Sequence, residues 1–341
     1  MSRSKTLQYY LAARLLLAPL MLLTIATLVF FLLKATPGDP IDAILGNRPP
    51  EAVKTAFRIQ LGLDKPIHEQ YFKYLWNILH GDFGTSITSS GKAVVAVIKE
   101  NFPATLELAI GSILIAFVVG VTMGTISASN PGTFADVGGR LFGIVSYSMP
   151  IFWVGMLLQL VLSVQLHIFP LGGRFPANLT PPDRITGLYT IDSLLHLNLG
   201  SFFVSIYYLA LPCLTLGILL SGIFERIVRV NLKQSMRAEY VEAARARGIP
   251  ERQILIVHSL KNAMIPVITV LGLTTASLLG GAVLTEVTFS WPGLASQLYE
   301  AISNRDYPTV QGIMVFFAMI VVIASILIDL INAWIDPRIK Y

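Results

Sequence analysis

Charge is what this sequence has least of. Asp, Glu, Lys and Arg make up 13% of the chain, about half of the ~25% usual in soluble globular domains. Apolar residues make up 54%, which excludes a soluble globular enzyme. Cysteine is reduced to Cys213, so no intrachain disulfide and no cysteine-rich metal centre can form. The histidines, His68, His80, His167, His196 and His258, contain no i, i+4 pair, which argues against a helix-borne metal site. A phosphate-binding loop, Gly-x-x-x-x-Gly-Lys-Ser/Thr, is missing too. Its nearest approach, Ser86 to Gly91-Lys92-Ala93, lacks the first glycine and the final hydroxyl. ATP chemistry would have to sit on another polypeptide. An intramembrane enzyme would need clustered His, Asp or Ser within the apolar runs, and none is seen.

What the chain has is long stretches without charge. Six run over 15–33, 108–129, 141 to about 163, 199–224, 263–285 and 307–328. Each is long enough to cross a hydrocarbon core of about 30 Å at about 1.5 Å per residue. The uncharged tail Phe169-Pro170-Leu171-Gly172-Gly173 carries breaker residues and reads as a loop. Arg3, Lys5 and Arg14 ahead of the first run resemble a signal peptide, but Lys34-Ala35-Thr36-Pro37 offers no small-x-small cleavage site. The first run is expected to stay as an anchor. Pro150, Pro212 and Pro266 mark kinks or ends of spans. Recurrent glycines, among them Gly111, Gly120, Gly217 and Gly272, suit close helix packing.

Net charge is +5, which in a membrane chain reports topology rather than nucleic-acid binding, because cytoplasmic loops collect Lys and Arg. The N-terminal arm and the segment between the fourth and fifth runs, with Arg226, Arg229, Lys233, Arg237, Arg245, Arg247, Arg252 and Lys261, belong in the cytoplasm on this rule. Both termini are then cytoplasmic. The segment from Lys34 to about Glu107 lies outside, and its Phe57, Leu61, Tyr71, Phe72, Leu75, Trp76 and Ile78 predict a small, partly helical cap. The cap either rests over an opening or packs on the span ends. The expected organisation is an N-terminal span plus extracytoplasmic segment over 1–104, a five-helix core over 105–335 with a cytoplasmic loop over 225–262, and a tail over 336–341.

Within that loop, residues 238–247 are strong helix formers followed by Gly248-Ile249-Pro250, a glycine C-cap and a proline. Small alanines let a partner approach closely, with Glu239, Glu242, Arg245 and Arg247 available at the rim. The other reading of the same composition is a solvated loop helix. Glu107 and Glu286 lie near span ends. They either line a passage for a charged solute or reach water by snorkelling. Asp329 and Asn332 read the same way.

Glu242-Ala243-Ala244, followed after three residues by Gly248, resembles the EAA signature of membrane subunits of ATP-binding-cassette importers. Asn262-Ala263-Met264-Ile265-Pro266, Gly280-Gly281-Ala282-Val283-Leu284-Thr285-Glu286, Phe289-Ser290-Trp291-Pro292-Gly293, Arg305-Asp306-Tyr307-Pro308 and Gln311-Gly312 are similar to its dipeptide, oligopeptide and nickel branch. So are Pro37-Gly38-Asp39-Pro40, Leu61-Gly62-Leu63-Asp64, Gly81-Asp82-Phe83-Gly84 and Thr105-Leu106-Glu107-Leu108-Ala109. The general signature asks for Ile and Leu-Pro where His258, Leu260 and Lys261 stand, a departure that matches only at the leucine.

The resemblance implies an all-α integral membrane protein of six transmembrane helices, with the type I importer permease fold, in a prokaryotic inner membrane. It implies that Glu239, Tyr240, Glu242, Ala243, Ala244, Arg245 and Gly248 form a coupling helix seated in a groove of a cytoplasmic ATPase. The implied partners are two such ATPases, a second homologous permease and an extracytoplasmic substrate-binding protein. No cofactor is implied in this chain; ATP and Mg are bound by the ATPases. Uptake of di- or oligopeptides or a related small solute by alternating access follows. The rival is an ATPase-independent secondary transporter or channel, for which inverted repeats and midplane charge would be expected.

Overall fold

The computed structural model describes residues 3–36, 41, 50–89 and 91–335. The Pro37-Gly38-Asp39-Pro40 motif and the 336–341 tail lie outside the described residues. The chain runs through α1 (Arg3–Ala35), α2 (Glu51–Leu61), α3 (Ile67–Leu79), α4 (Val94–Ser129), α5 (Phe134–Ser148), α6 (Ile151–Gln165), α7 (Tyr189–Leu195) and α8 (Leu199–Ser235). It continues through α9 (Glu239–Ala246), α10 (Glu251–Leu279), α11 (Val283–Thr288), α12 (Leu294–Ser303) and α13 (Tyr307–Ile335).

Among the described residues, five helices carry membrane-length apolar segments: Leu16–Ala35, Val94–Ser129, Leu199–Ser235, Glu251–Leu279 and Tyr307–Ala333. The sixth is α5 with α6, a pair bent by 102°. Six spans were expected, the third over 141 to about 163 with a kink or end at Pro150; the count is six with the bent pair taken as one span, and the third is broken at that proline. The cause is local: Met149 is extended, at φ −82 and ψ 133, because the ring of a following proline disfavours the helical region for the residue before it. Pro212 and Pro266 lie inside continuous helices instead.

Within the segment expected as a cytoplasmic loop, 225–262, α8 carries Arg226, Arg229 and Lys233 as helix and α10 begins at Glu251, so only 236–250 lies between the two long helices. A backbone whose hydrogen bonds are already paired in a helix has no reason to stop where the side chains turn polar. The fifth span ends at Leu279 rather than 285, cut by Gly280-Gly281, with Gly281 at φ +111.

α4 and α8 form the centre of the bundle, burying Leu108, Ala116, Leu216, Phe224 and Val228, with Val267 of α10 and Trp291 completing the core. Their backbones approach closely: a Cβ added at Gly120 would stand 2.4 Å from the Phe224 Cβ. Small residues at such crossings are how apolar helices associate in lipid, where the hydrophobic effect no longer separates helix from solvent. A second cluster joins α1, α12 and α13 through Val29, Leu33, Leu294, Leu298, Ile313 and Phe317. The two ends of the bundle differ. One carries α9 and the arginines around it; the other carries α2, α3, α7, α11 and α12 as a cap.

Candidate functional site

At the basic end, α9 is held between two spans. Val241 and Ala244 turn inward against Ile254 at the start of α10, with Met236 and Ile249 beside them. Tyr240 Oη meets Ser235 Oγ at the end of α8, and Ser235 Oγ donates to the Ser259 carbonyl at 3.0 Å. Arg245 closes the far side with Nε and Nη2 donating to the two Glu251 carboxylate oxygens at 2.6 and 3.2 Å. The helix ends in a Schellman motif: Gly248 N–H donates to the Arg245 carbonyl at 2.9 Å and Ile249 N–H to the Ala244 carbonyl at 3.2 Å. That geometry requires a left-handed residue, and Gly248 supplies it at φ +74. Nothing lies within 4 Å of a Cβ added there, so the glycine serves conformation and not space.

Glu239, Glu242, Ala243, Ala246 and Arg247 are exposed, Tyr240 partly so. Of the seven residues expected to couple, Val241's neighbour Ala244 is buried inward and Arg245 is already paired within the chain. Gly248 is exposed at the cap of the helix, and the outward edge of the helix itself is Glu239, Tyr240, Glu242 and Ala243. Of the positions that depart from the signature, His258 falls on the π-helical turn Ile254–Leu260 and Lys261 opens the α-helical stretch after it.

Next to this end, α8 and α5 are joined by buried charge. Asp136 receives Lys233 Nζ at 3.0 Å on both oxygens and Ser127 Oγ at 3.2 Å. Glu225, nearly fully buried, accepts from Arg229 Nε at 3.0 Å. A Cβ on Gly143 would lie 2.7 Å from its Oε2, so glycine there makes room for the carboxylate. Beside the pair opens a cavity of about 650 Å³ whose lining includes Arg140, Tyr147, Ser148, Arg226 and Arg229.

At the cap end, buried carboxylates tie loops to spans. Glu107 Oε2 accepts Nε and Nη2 of Arg174 at 3.0 and 2.7 Å, while its Oε1 accepts the Thr190 N–H and hydroxyl at 2.8 and 2.6 Å. The guanidinium stacks 3.7 Å over the Tyr189 ring and donates to the Gly187 carbonyl at 2.7 Å. Asp192 gathers the Thr186 and Gly187 N–H groups at 2.8 and 2.9 Å. Its pKa is set by burial, which raises it, and by these donors, which outweigh burial and lower it.

Among the described residues no cation pairs with Glu286. It accepts from Thr105 Oγ1 at 2.6 Å and the Ser296 N–H at 2.7 Å. Burial in α11, outside the membrane-length segment of α10, pushes its pKa up to about 7 against those hydrogen bonds. A Cβ on Gly293 would collide with its carboxylate at 2.3 Å. Thr105 also accepts the Leu294 N–H at 2.8 Å, and Trp291 Nε1 donates to the Ala104 carbonyl at 2.9 Å. Asp306, ahead of α13, binds the cap through Ser86 Oγ at 2.6 Å and the Ile87 and Thr88 N–H groups at 3.0 and 3.1 Å. Burial raises the Asp306 pKa less than its donors lower it.

Glu107 and Glu286, expected as path-lining groups, are thus brought to the two sides of one short stretch of α4, but both are enclosed by protein in this conformation. Arg174, Asp192, Asp136 and Glu225 were not singled out as site residues from sequence, and Asp306 appeared only within a motif. Buried ion pairs between residues 67 positions apart, such as Glu107 with Arg174, leave no periodic trace. The one available signal is a lone arginine beside a Gly-Gly turn, Gly172-Gly173-Arg174.

Residues 120–341 match the family described as the binding-protein-dependent transport system inner membrane component, and residues 7–109 match its N-terminal region. A probable D,D-dipeptide transport system permease protein of Escherichia coli K12 is 39% identical over 315 residues, 92% of each chain. The dipeptide transport system permease of the same organism is 36% identical, over 93% of this chain and 94% of its own. An oligopeptide transport system permease of Bacillus subtilis 168 is 34% identical, over 97% and 99%.

Proposed function

Because the chain belongs to the family of binding-protein-dependent transport system inner membrane components, we propose that it imports di- or oligopeptides as one of two permease subunits driven by separate ATPases. The chain is a multi-pass transport permease and not an enzyme. In this reading the basic end faces the cytoplasm, following the Lys and Arg distribution, and the cap end faces the binding protein. A peptide substrate is supported by relatives whose names state dipeptide and oligopeptide transport.

The observation that carries the coupling role is how α9 is mounted. It is bound to the end of α8 through Tyr240 and Ser235 and to the start of α10 through Ile254 and Glu251. A displacement of α9 therefore moves two membrane helices, and α8 runs unbroken to the cap end. The exposed edge of Glu239, Tyr240, Glu242 and Ala243 is what a cytoplasmic ATPase would hold. ATP and Mg belong to that subunit, whose closing and opening bias the permease only through contacts that differ between its states. Glu107 and Glu286 act in this account as a frame around Thr105 that fixes the outer mouth of the passage.

The test is affinity purification of the tagged chain in mild detergent, with identification of what co-purifies and assay of its ATPase activity. Recovery of ATPase subunits, a second permease and peptide-stimulated hydrolysis is expected. A chain that purifies alone and still transports peptide without ATP would replace this reading with the secondary transporter.

A further inference from the structure

Helix α3 lies against the outer half of a membrane span, not beyond it. Tyr71 and Tyr74 both rest on Phe30 of α1, with ring centroids 5.3 and 5.4 Å apart. Tyr71 Oη also bonds Thr27 Oγ1 at 2.7 Å, and Lys34 Nζ donates to Gln70 Oε1 at 2.5 Å. The membrane-length segment of α1 ends at Ala35. At about 1.5 Å per residue, Phe30 is therefore roughly 7 Å below the cap-side end of that segment. The chain leaving α3 gives the same level on another span. Gly84 lies beside Pro308, and a Cβ added at Gly312 would meet the Phe83 Cβ at 3.0 Å. Gly312 is five residues inside the segment that begins at Tyr307.

The side of α3 turned away from α1 divides into two strips. Phe72, Trp76 and Leu79 are 66%, 64% and 80% exposed, and at about 100° per residue they fall within about 60° of arc. The adjoining arc carries Glu69, Lys73 and His80, all exposed, with the His80 ring 4.4 Å from that of Trp76 at the boundary, and exposed His68 flanks the strip beside Leu79. The apolar strip is not an isolated patch. α1 itself bares Leu28 and Leu32, 62% and 67% exposed, over the same stretch that holds Tyr71 and Tyr74. A helix with one apolar strip and one charged strip, about 5–10 Å below the membrane surface, has the character of an interfacial helix. Trp and Tyr favour that level because their rings are apolar and their polar atoms are not.

We propose that α3 is a membrane-interfacial helix whose Phe72, Trp76 and Leu79 edge is covered by the lipids of the cap-side leaflet, while Glu69, Lys73 and His80 face water. The cap is then hinged on the bilayer as well as on the protein. Its outer surface reads the position of the lipid interface, and its other side is bound to α13 through Asp306.

The test is spin labelling of the complete chain, with whatever subunits accompany it, reconstituted in vesicles of zwitterionic and anionic phospholipid. Cysteines replace Phe72, Trp76, Leu79, Glu69 or Lys73 one at a time in a Cys213→Ser background, and collision with oxygen is compared with collision with a water-soluble nickel chelate. Labels at 72, 76 and 79 are expected to favour oxygen by at least several fold, and labels at 69 and 73 to favour nickel. Nickel access at all five positions would overturn the proposal by placing α3 in water. Exclusion of both reagents at 72, 76 and 79 would overturn it by showing a protein cover. Tryptophan quenching by brominated lipid checks the unlabelled chain: Trp76→Phe is expected to remove a large share of the quenching, and an unchanged quenched fraction would contradict lipid contact.

Discussion

Arg174 and Glu107 meet through two guanidinium nitrogens on a single carboxylate oxygen, at 3.0 and 2.7 Å, with both side chains almost wholly buried. The pair joins the loop after α6 to the interior of α4, and the Thr190 donors complete the carboxylate. Removing one partner strands a buried charge, at a cost of about 3–5 kcal/mol, whereas replacing both with apolar residues of similar volume is often neutral. Arg174→Met alone is therefore expected to lower the thermal unfolding midpoint in detergent sharply. The double variant Glu107→Met with Arg174→Met should recover most of the loss. Equal midpoints for single and double variants would show that the pair does not act as a unit.

Gly248 tests the cap of α9. A side chain at its left-handed φ costs about 1–2 kcal/mol, and proline in addition removes the N–H bonded to Arg245. Gly248→Pro is expected to abolish uptake while membrane insertion, read by the amount of protein in purified membranes, stays normal. Glu242→Lys, which reverses a charge on the exposed edge and removes an attraction to Arg245, should do the same.

Glu286 predicts a pH dependence of stability. Its folded pKa of about 7 lies above the ordinary 4.5, so the folded state holds the proton more tightly than the unfolded state. The contribution is complete below pH 4.5 and is lost as pH rises through 7, about 3 kcal/mol in all by the size of the shift. Unfolding in detergent should become easier between pH 5 and pH 8. Glu286→Gln, which stays neutral, should flatten that slope. An identical slope in the variant would assign the effect to another group.

Asp306 holds the cap to α13 by hydrogen bonds to a charged acceptor, each worth about 1.5–3 kcal/mol. Asp306→Ala should speed amide exchange at Ile87 and Thr88 by roughly 10- to 100-fold. Exchange elsewhere in α4 and α8 should be unchanged.

The spans were legible because lipid demands uninterrupted apolar runs, and the runs at 15–33 and 307–328 match the membrane-length segments Leu16–Ala35 of α1 and Tyr307–Ala333 of α13 to within about five residues. Span ends were not legible at α8, because Arg226, Arg229 and Lys233 sit on a helix that continues past its apolar part. The break at Met149 was marked by Pro150, but composition on either side is equally apolar, so the bend angle left no sign. The short helix α9 and its end were readable from alanine, glutamate and the Gly248 stop, since these act locally. The Glu286, Thr105 and Trp291 cluster was not, although its members fall in motifs noted along the chain, because nothing local says which distant motifs touch.

The central claim is that the exposed edge of α9 holds an ATPase subunit, and cysteine chemistry addresses it directly. Cys213 is the only native cysteine and is buried, so Ala243→Cys introduces one accessible thiol. A maleimide-benzophenone attached there, photolysed in the intact purified complex, is predicted to yield an adduct with the co-purifying ATPase, diminished when Gly248→Pro is added. An intact complex with a labelled Ala243→Cys thiol and no ATPase adduct would contradict the account.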